Sequence, residues 1–256
     1  MAERGGGVGY ARAGAGTLPL HVVTPDGLEA LKTRLGAAGG WLEATGFKAD
    51  LGELRLLPGS GGAVAGAVAG YGTAKARRRQ RFGMLKAVAG LPGGAWRLEG
   101  DLSLAERSEV ALGWLLTQYR FTRYKAGKDK LPALPVCPEG VDATLLLAMA
   151  RGEFLTRDLI NTPAQDMGPA ELESAFMALA ARSGAQASVV RGDDLLAQGF
   201  PMVHAVGRAS PRAPRIMEMR WGTAGPALTL VGKGVCFDTG GLNLKPSNGM
   251  NLMKKD

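Results

Sequence analysis

The sequence predicts an α/β protein built as two successive α/β runs, and three observations carry that expectation. Short apolar stretches of strand length alternate with longer amphipathic ones through both halves of the chain. A connector rich in proline and charge separates the two runs. The apolar share, 46% against 21% charged, is ample for cores of ordinary size in 256 residues and is the profile of a soluble protein.

Each element follows from local chemistry. The opening stretch MAERGGGVGYARAGAG lacks the apolar centre of a secretory leader and reads as a flexible lead-in or the edge of a first strand. Residues 18–23 form a strand, and 27–35 a helix begun by Pro25-Asp26. Strands over 54–57 and 63–69 flank the turn Pro58-Gly59-Ser60. Residues 75–88 are helical, and 95–98 a short strand. A long helix covers 103–124: Ser103 caps it, Glu106 stands at the capping-box position, and Val110, Trp114, Leu115 and Tyr119 share a face. The connector over 125–140 holds Lys128, Asp129, Lys130, Pro132, Pro135 and Pro138. Next comes a helix over 141–159, with Leu145, Leu146, Met149 and Leu155 at helical spacing, ended by Asn161-Thr162-Pro163. The second run is a helix over 169–183, a strand over 187–190, a short helix over 194–198, and strands over 215–221 and 227–231. The organisation expected is an N-terminal α/β domain over 1–138, a connecting helix over 139–160, and a second α/β domain over 161–256. No apolar run is long enough to span a bilayer, the Gly61 to Gly72 stretch included, so no membrane segment is expected.

Charge and rare residues narrow the chemistry. The formal net charge is +8, and the whole excess lies in residues 1–138, with 19 Lys and Arg against 11 Asp and Glu. The densest cluster is Lys75, Arg77, Arg78, Arg79 and Arg81, followed by Arg120, Arg123, Lys125, Lys128 and Lys130. Such a surface suits DNA or another polyanion; a solvated helix start and a charged connector give the same pattern, and no nucleic-acid motif accompanies it. Two cysteines, Cys137 and Cys236, form no disulfide framework, which points to a reducing cytoplasm. With only His21 and His204, a His-rich zinc site or a Ser-His-Asp triad has little to build on, and each reads as a packed or surface histidine.

The most informative stretch is VGKGVCFDTGGLNLKPSNGMNLMKKD, residues 231–256. It spaces Lys233, Asp238, Lys245 and Asp256 among Gly232, Gly234, Gly240 and Gly241, at the end of the expected strand over 227–231. Gly232-Lys233-Gly234 is a poor phosphate loop: no glycine stands five before Gly232, and Gly234 rather than Ser or Thr follows the lysine. Asp238 before Thr239-Gly240-Gly241 is by itself a turn aspartate. Carboxylates and ammonium groups together match what a hydrolytic metal site needs: ligands for cations and a charge to meet a developing oxyanion.

These residues closely resemble the metal-binding core of the leucyl (cytosol) aminopeptidase family of two-metal exopeptidases. The resemblance extends upstream to Arg157-Asp158-Leu159-Ile160-Asn161-Thr162-Pro163, Asp166-Met167-Gly168-Pro169, His204-Ala205-Val206-Gly207-Arg208-Ala209-Ser210 and Arg220-Trp221-Gly222. The first half fits loosely, as that family's variable N-terminal domain would. The resemblance implies a larger α/β catalytic domain with a mixed central sheet, of which this chain carries the first part. It implies that Asp238 bridges two divalent cations, manganese or zinc, and that Lys233 and Asp256 complete one metal position. A ligating lysine must be neutral, a state a nearby dication favours. Lys245 would stay charged and stabilise the oxyanion. Met253 would line the pocket for the substrate's first side chain, although an ordinary core methionine has the same signature. It further implies release of leucine-like N-terminal residues from peptides in peptide turnover, a bicarbonate as proton relay, a cytoplasmic homo-hexamer, and, as in some bacterial members, DNA binding. The family's second signature, Asn-Thr-Asp-Ala-Glu-Gly-Arg, is expected some tens of residues after Asp256, and Asn161-Thr162-Pro163 cannot replace it. The 256 residues alone would then hold half a binuclear site and be inactive.

Overall fold

The computed structural model describes residues 7–127, 132–236, 244–250 and 253. The chain divides into two compact units, Met1–Leu155 and Thr156–Asp256. Both are α/β in character, as the sequence predicts.

The first unit is organised by β1 (Leu18–Val23), an apolar strand that pairs in parallel on both sides. The sheet also contains β2 (Leu54–Pro58), β3 (Val64–Gly70), β4 (Gly94–Glu99) and β5 (Ala133–Pro135), in the order β2-β3-β1-β4-β5. Only the β2–β3 pair is antiparallel, so the sheet is mixed. The period of two sorts side chains onto two faces. Leu20, Val22, Ala67, Ala69 and Trp96 bury on one face against Met84, Ala87, Val88, Val110 and Trp114. Val23 and Val68 bury on the other against Leu28, Leu31, Leu42 and Phe47. Helices α1 (Leu28–Leu35) and α2 (Ala37–Ala44) therefore cover one face; α4 (Leu85–Ala89) and α5 (Leu104–Thr117) cover the other, after a short α3 (Ala74–Arg79).

Several elements differ from the expectation. Helix α2 is not among the elements the sequence predicts. It forms because Leu42 is wholly buried, and because Gly39 lets the backbones of α1 and α2 touch: a Cβ there would lie 2.1 Å from the Lys32 carbonyl oxygen. The helix predicted over 75–88 is split at Phe82, whose φ is +62°, and Gly83 packs against Leu51 there. Helix α5 begins with the predicted capping box, the Ser103 N–H donating to Glu106 Oε2 at 3.0 Å. It stops at Thr117 rather than near 124, because the Arg120 guanidinium donates to the Thr117 and Tyr119 carbonyls and Gln118 exchanges two hydrogen bonds with the Gly9 backbone. Part of the connector becomes the edge strand β5, where proline is tolerated, and Trp114 Nε1 donates to the Ala133 carbonyl.

Helix α6 (Ala143–Asn161) leads into the second unit, which contains α7 (Pro169–Ser183), β6 (Gln186–Arg191), α8 (Asp194–Ala197), α9 (Pro201–Gly207), β7 (Arg215–Arg220) and α10 (Ser247–Met250). Strands β6 and β7 pair antiparallel. Helix α7 is tied to both by Glu173, whose carboxylate receives Arg215 Nη1 at 2.5 Å and Arg191 Nε at 2.9 Å. The predicted strand over 227–231 is not formed: among the described residues no strand pairs with it, and pairing rather than apolar content makes a strand. Among the described residues no helix is long and apolar enough to cross a membrane.

Two outcomes follow. Gly39→Ala should destabilise the first unit by about 1–3 kcal/mol through overpacking, whereas Gly40→Ala, with nothing within 4 Å of its Cβ, should stabilise by about 0.5–1 kcal/mol; urea midpoints of the two variants check this. The arginines hold the Glu173 carboxyl at about 2, below the ordinary 4.5. A depressed carboxylate stabilises fully above its unfolded pKa and loses that contribution as pH falls through the folded one. Protection of the β6–β7 amides should therefore decline between pH 4.5 and about 2, and Glu173→Gln should remove that part of the decline.

Candidate functional site

The stretch that carries the predicted site follows β7 as irregular backbone. Gly222 and Gly225 take positive φ, and the chain then runs from residue 226 to 236 without regular structure. Lys233 stands exposed in this run between Gly232 and Gly234. A Cβ at Gly234 would come within 3.2 Å of Leu172 Cδ2, so the small residue lets the segment approach α7. Lys245 is exposed just before Pro246, whose carbonyl accepts from the Gly249 N–H at 2.8 Å to open α10. Met253 is half-buried. Asp238 and Asp256 lie outside the described residues. Of the five residues predicted for the site, the structure thus describes Lys233, Lys245 and Met253. The expectation that a strand delivers Lys233 is corrected: an exposed segment without regular structure does so. Among the described residues no three His, Cys, Asp or Glu side chains stand together to hold a metal ion. The predicted donors, one amine and two carboxylates, suit manganese and zinc by their chemistry.

Upstream, the structure joins two turns that are about 47 residues apart in the chain. The turn after α6 is closed by Thr162, buried, whose Oγ1 donates to the Asp158 carbonyl at 2.7 Å. Gly168 then donates its N–H to Glu171 Oε2 at 3.0 Å, starting α7. Arg212, beyond α9, reaches this turn and donates to the carbonyls of Gln165 at 3.0 Å and Ala164 at 3.4 Å. A side chain at Gly168 would collide with Arg212, its Cβ lying 2.2 Å from Nη1. Arg212 was not singled out from the sequence, and the only signal was the pair of glycine- and proline-rich turns it connects.

Among the described residues neither histidine stands in a cluster of metal-ligating side chains. His21, buried on β1, has Nδ1 3.2 Å from Glu99 Oε2, and burial holds its pKa below the usual value despite the opposing pull of Glu99. His204 Nε2 is 3.0 Å from Asp193 Oδ1. The basic cluster of the first unit is partly consumed by packing. The Arg77 guanidinium lies 4.3 Å from the Tyr71 ring centroid, donates to the Gly72 carbonyl and pairs with Glu106; Arg81 covers Phe82 and pairs with Glu109. A concavity among Leu51, Tyr71, Arg77, Phe82, Met84 and Val110 holds none of the predicted site residues.

Comparison with known proteins agrees with this layout. Residues 18–136 match the N-terminal domain of M17 aminopeptidases, and residues 154–256 match the catalytic domain of the cytosol aminopeptidase family. A probable cytosol aminopeptidase of Leifsonia xyli is 35% identical over 231 residues, covering 84% of this chain and 46% of that protein. The crystal structure of cytosol aminopeptidase from Coxiella burnetii superposes with a TM-score of 0.83 at 32% identity, covering 96% of this chain and 53% of that one. The bottromycin maturation enzyme BotP, solved in complex with Mn, superposes at 0.70 with 30% identity, over 94% and 53%. The chain spans about half the length of these relatives. From the matches to both of its domains and the shared architecture, the chain belongs to the cytosol aminopeptidase family.

Proposed function

We propose that this protein is a metal-dependent aminopeptidase that releases N-terminal amino acids, leucine-like ones preferred, from peptides. The observation that carries this reading is the match of residues 154–256 to the family's catalytic domain, which contains Lys233, Asp238, Lys245 and Asp256 at their spacing. The name of the Coxiella burnetii relative and the manganese in the BotP complex support it.

The roles follow from the chemistry of each group. The carboxylates of Asp238 and Asp256 and the neutral amine of Lys233 would hold the two divalent cations, with manganese or zinc as the metal. When bound, the cations supply an activated water and polarise the scissile carbonyl. Lys245, as an ammonium, would donate to the carbonyl oxygen as negative charge grows there, which selects the transition state over the substrate. Met253 would face the first side chain of the peptide. A bicarbonate relay, a homo-hexamer and a cytoplasmic location complete the proposal. Residues 1–138 are assigned to the N-terminal domain, 139–160 to a connecting helix and 161–256 to the catalytic domain; the limits of the two family matches, 136 and 154, support that division.

The test uses the protein purified from its natural source, with leucine p-nitroanilide as substrate and added Mn2+ or Zn2+. Turnover is expected, and Lys245→Ala should lower kcat by about 10²–10³-fold with a much smaller change in KM. Absence of turnover with either metal would overturn the reading, and an equal loss through KM alone would remove Lys245 from its role.

A further inference from the structure

The sheet of the first unit has two outer edges, and each is closed in its own way. At one edge β5 is three residues long, and its Pro135 carbonyl accepts from the Ala11 N–H at 2.8 Å. The other edge is β2, with no strand beyond it among the described residues. The Glu53 carbonyl, just before β2, accepts from the Gly70 N–H at the end of β3. In an antiparallel pair the backbone groups of successive residues point to alternate sides, so those of Leu54 and Leu56 point away from β3. Such outward groups are a template for a further strand. Here both outward carbonyls are occupied by side chains. Trp41 Nε1, reaching from α2, donates to the Leu56 carbonyl at 3.1 Å, and Arg55 Nη1 donates to the Leu54 carbonyl at 2.9 Å. Arg55 is fixed there by a second donation, to the Thr45 carbonyl at the end of α2 at 3.1 Å. Beyond them the register shifts after Leu57 and the strand ends on Pro58, both further obstacles to pairing.

The strand that this edge would otherwise take is its own copy. β2 reads Leu-Arg-Leu-Leu-Pro, and two such strands can pair antiparallel about a two-fold axis. When Leu54 of one copy faces Leu56 of the other, Arg55 stands opposite Arg55, and like charges directly opposed disfavour the pair. Arg55 therefore opposes self-pairing twice, by its charge and by occupying the Leu54 carbonyl. Trp41 occupies the other carbonyl while the residue itself stays 44% exposed. We infer that Trp41 and Arg55 keep the β2 edge closed to strand addition by a second copy of this chain. The proposed homo-hexamer would then have to form through other surfaces.

The experiment compares the full chain with two double variants, Trp41→Ala with Arg55→Ala, and Trp41→Phe with Arg55→Met. The second pair keeps bulk at both positions and lacks the donors and the charge. Sedimentation velocity over a range of concentrations reads association, and amide exchange reads the outward N–H groups of Leu54 and Leu56 and the protection of β1 and β3. The variants are expected to form a species larger than the parent forms. Their Leu54 and Leu56 amides should exchange about tenfold or more slowly as concentration rises, with β1 and β3 protected as in the parent. Folded variants that sediment like the parent, with those two amides exchanging as freely, overturn the inference. A larger species in which the two amides are not slowed also overturns it, because the contact then lies elsewhere. So does protection of the two amides in the parent that grows with concentration, since the edge would already be open. Loss of β1 and β3 protection in both variants would make Trp41 and Arg55 supports of the fold instead, and overturns it as well.

Discussion

The first unit depends on one close approach of backbones, at Gly70. This residue ends β3, and a Cβ on it would lie 2.0 Å from the Asp50 carbonyl oxygen. Its absence allows the loop after Phe47 to be stitched onto the end of β3: Gly52 donates to the Gly70 carbonyl, Gly70 to that of Glu53, and Gly72 to that of Ala49. Tyr71 in turn donates to the Val23 carbonyl at the end of β1. Four hydrogen bonds thus fix three chain segments at the ends of the parallel strands. The rest follows from them: Ala49, fully buried at φ +60°, seats under α1 and α2, and Tyr71 becomes the platform for Arg77. An arginine that looks like part of a polyanion surface is held as an internal strut.

The second unit is held by charge rather than by small residues. Its described elements bury few side chains completely, Leu195 and Ala180 among them. The work of joining α7 to β6 and β7 falls to Glu173, a carboxylate whose side chain is 14% exposed, flanked by Arg191 and Arg215. Removing one partner from such a cluster leaves the remaining charges poorly solvated, which costs more than the pair contributes. Arg212 performs a similar task for the turn between α6 and α7. Arginine suits both positions because its planar fork can meet two acceptors at once.

Much of this was legible in the sequence, for identifiable reasons. The capping box at Ser103 and Glu106 and the short apolar runs over 18–23 and 63–69 are local signals, and local signals survive folding. The family resemblance rested on the long run from 231 to 256, and the matches to both domains bear out the family. What failed was decided by distant partners. No local pattern announces that Gln118 will pair with Gly9, 109 residues away, and so stop a helix early. Nor does one announce that Gly39 will bring its backbone against the Lys32 carbonyl. The segment 227–231 has the composition of a buried strand and is not one, because composition sets what a strand would bury and a neighbour decides whether it forms. For the site, how Lys233 is presented was not readable: the strand expected over 227–231 does not form.

Metal binding through Asp238, within the stretch from Lys233 to Asp256, is the part of the proposal on which the activity depends. The most direct test is a titration with Mn2+ followed by electron paramagnetic resonance, comparing this chain with its Asp238→Asn variant. Bound Mn2+ is expected in the parent chain, with an affinity lower by about tenfold or more in the variant. Equal binding by the two would contradict it.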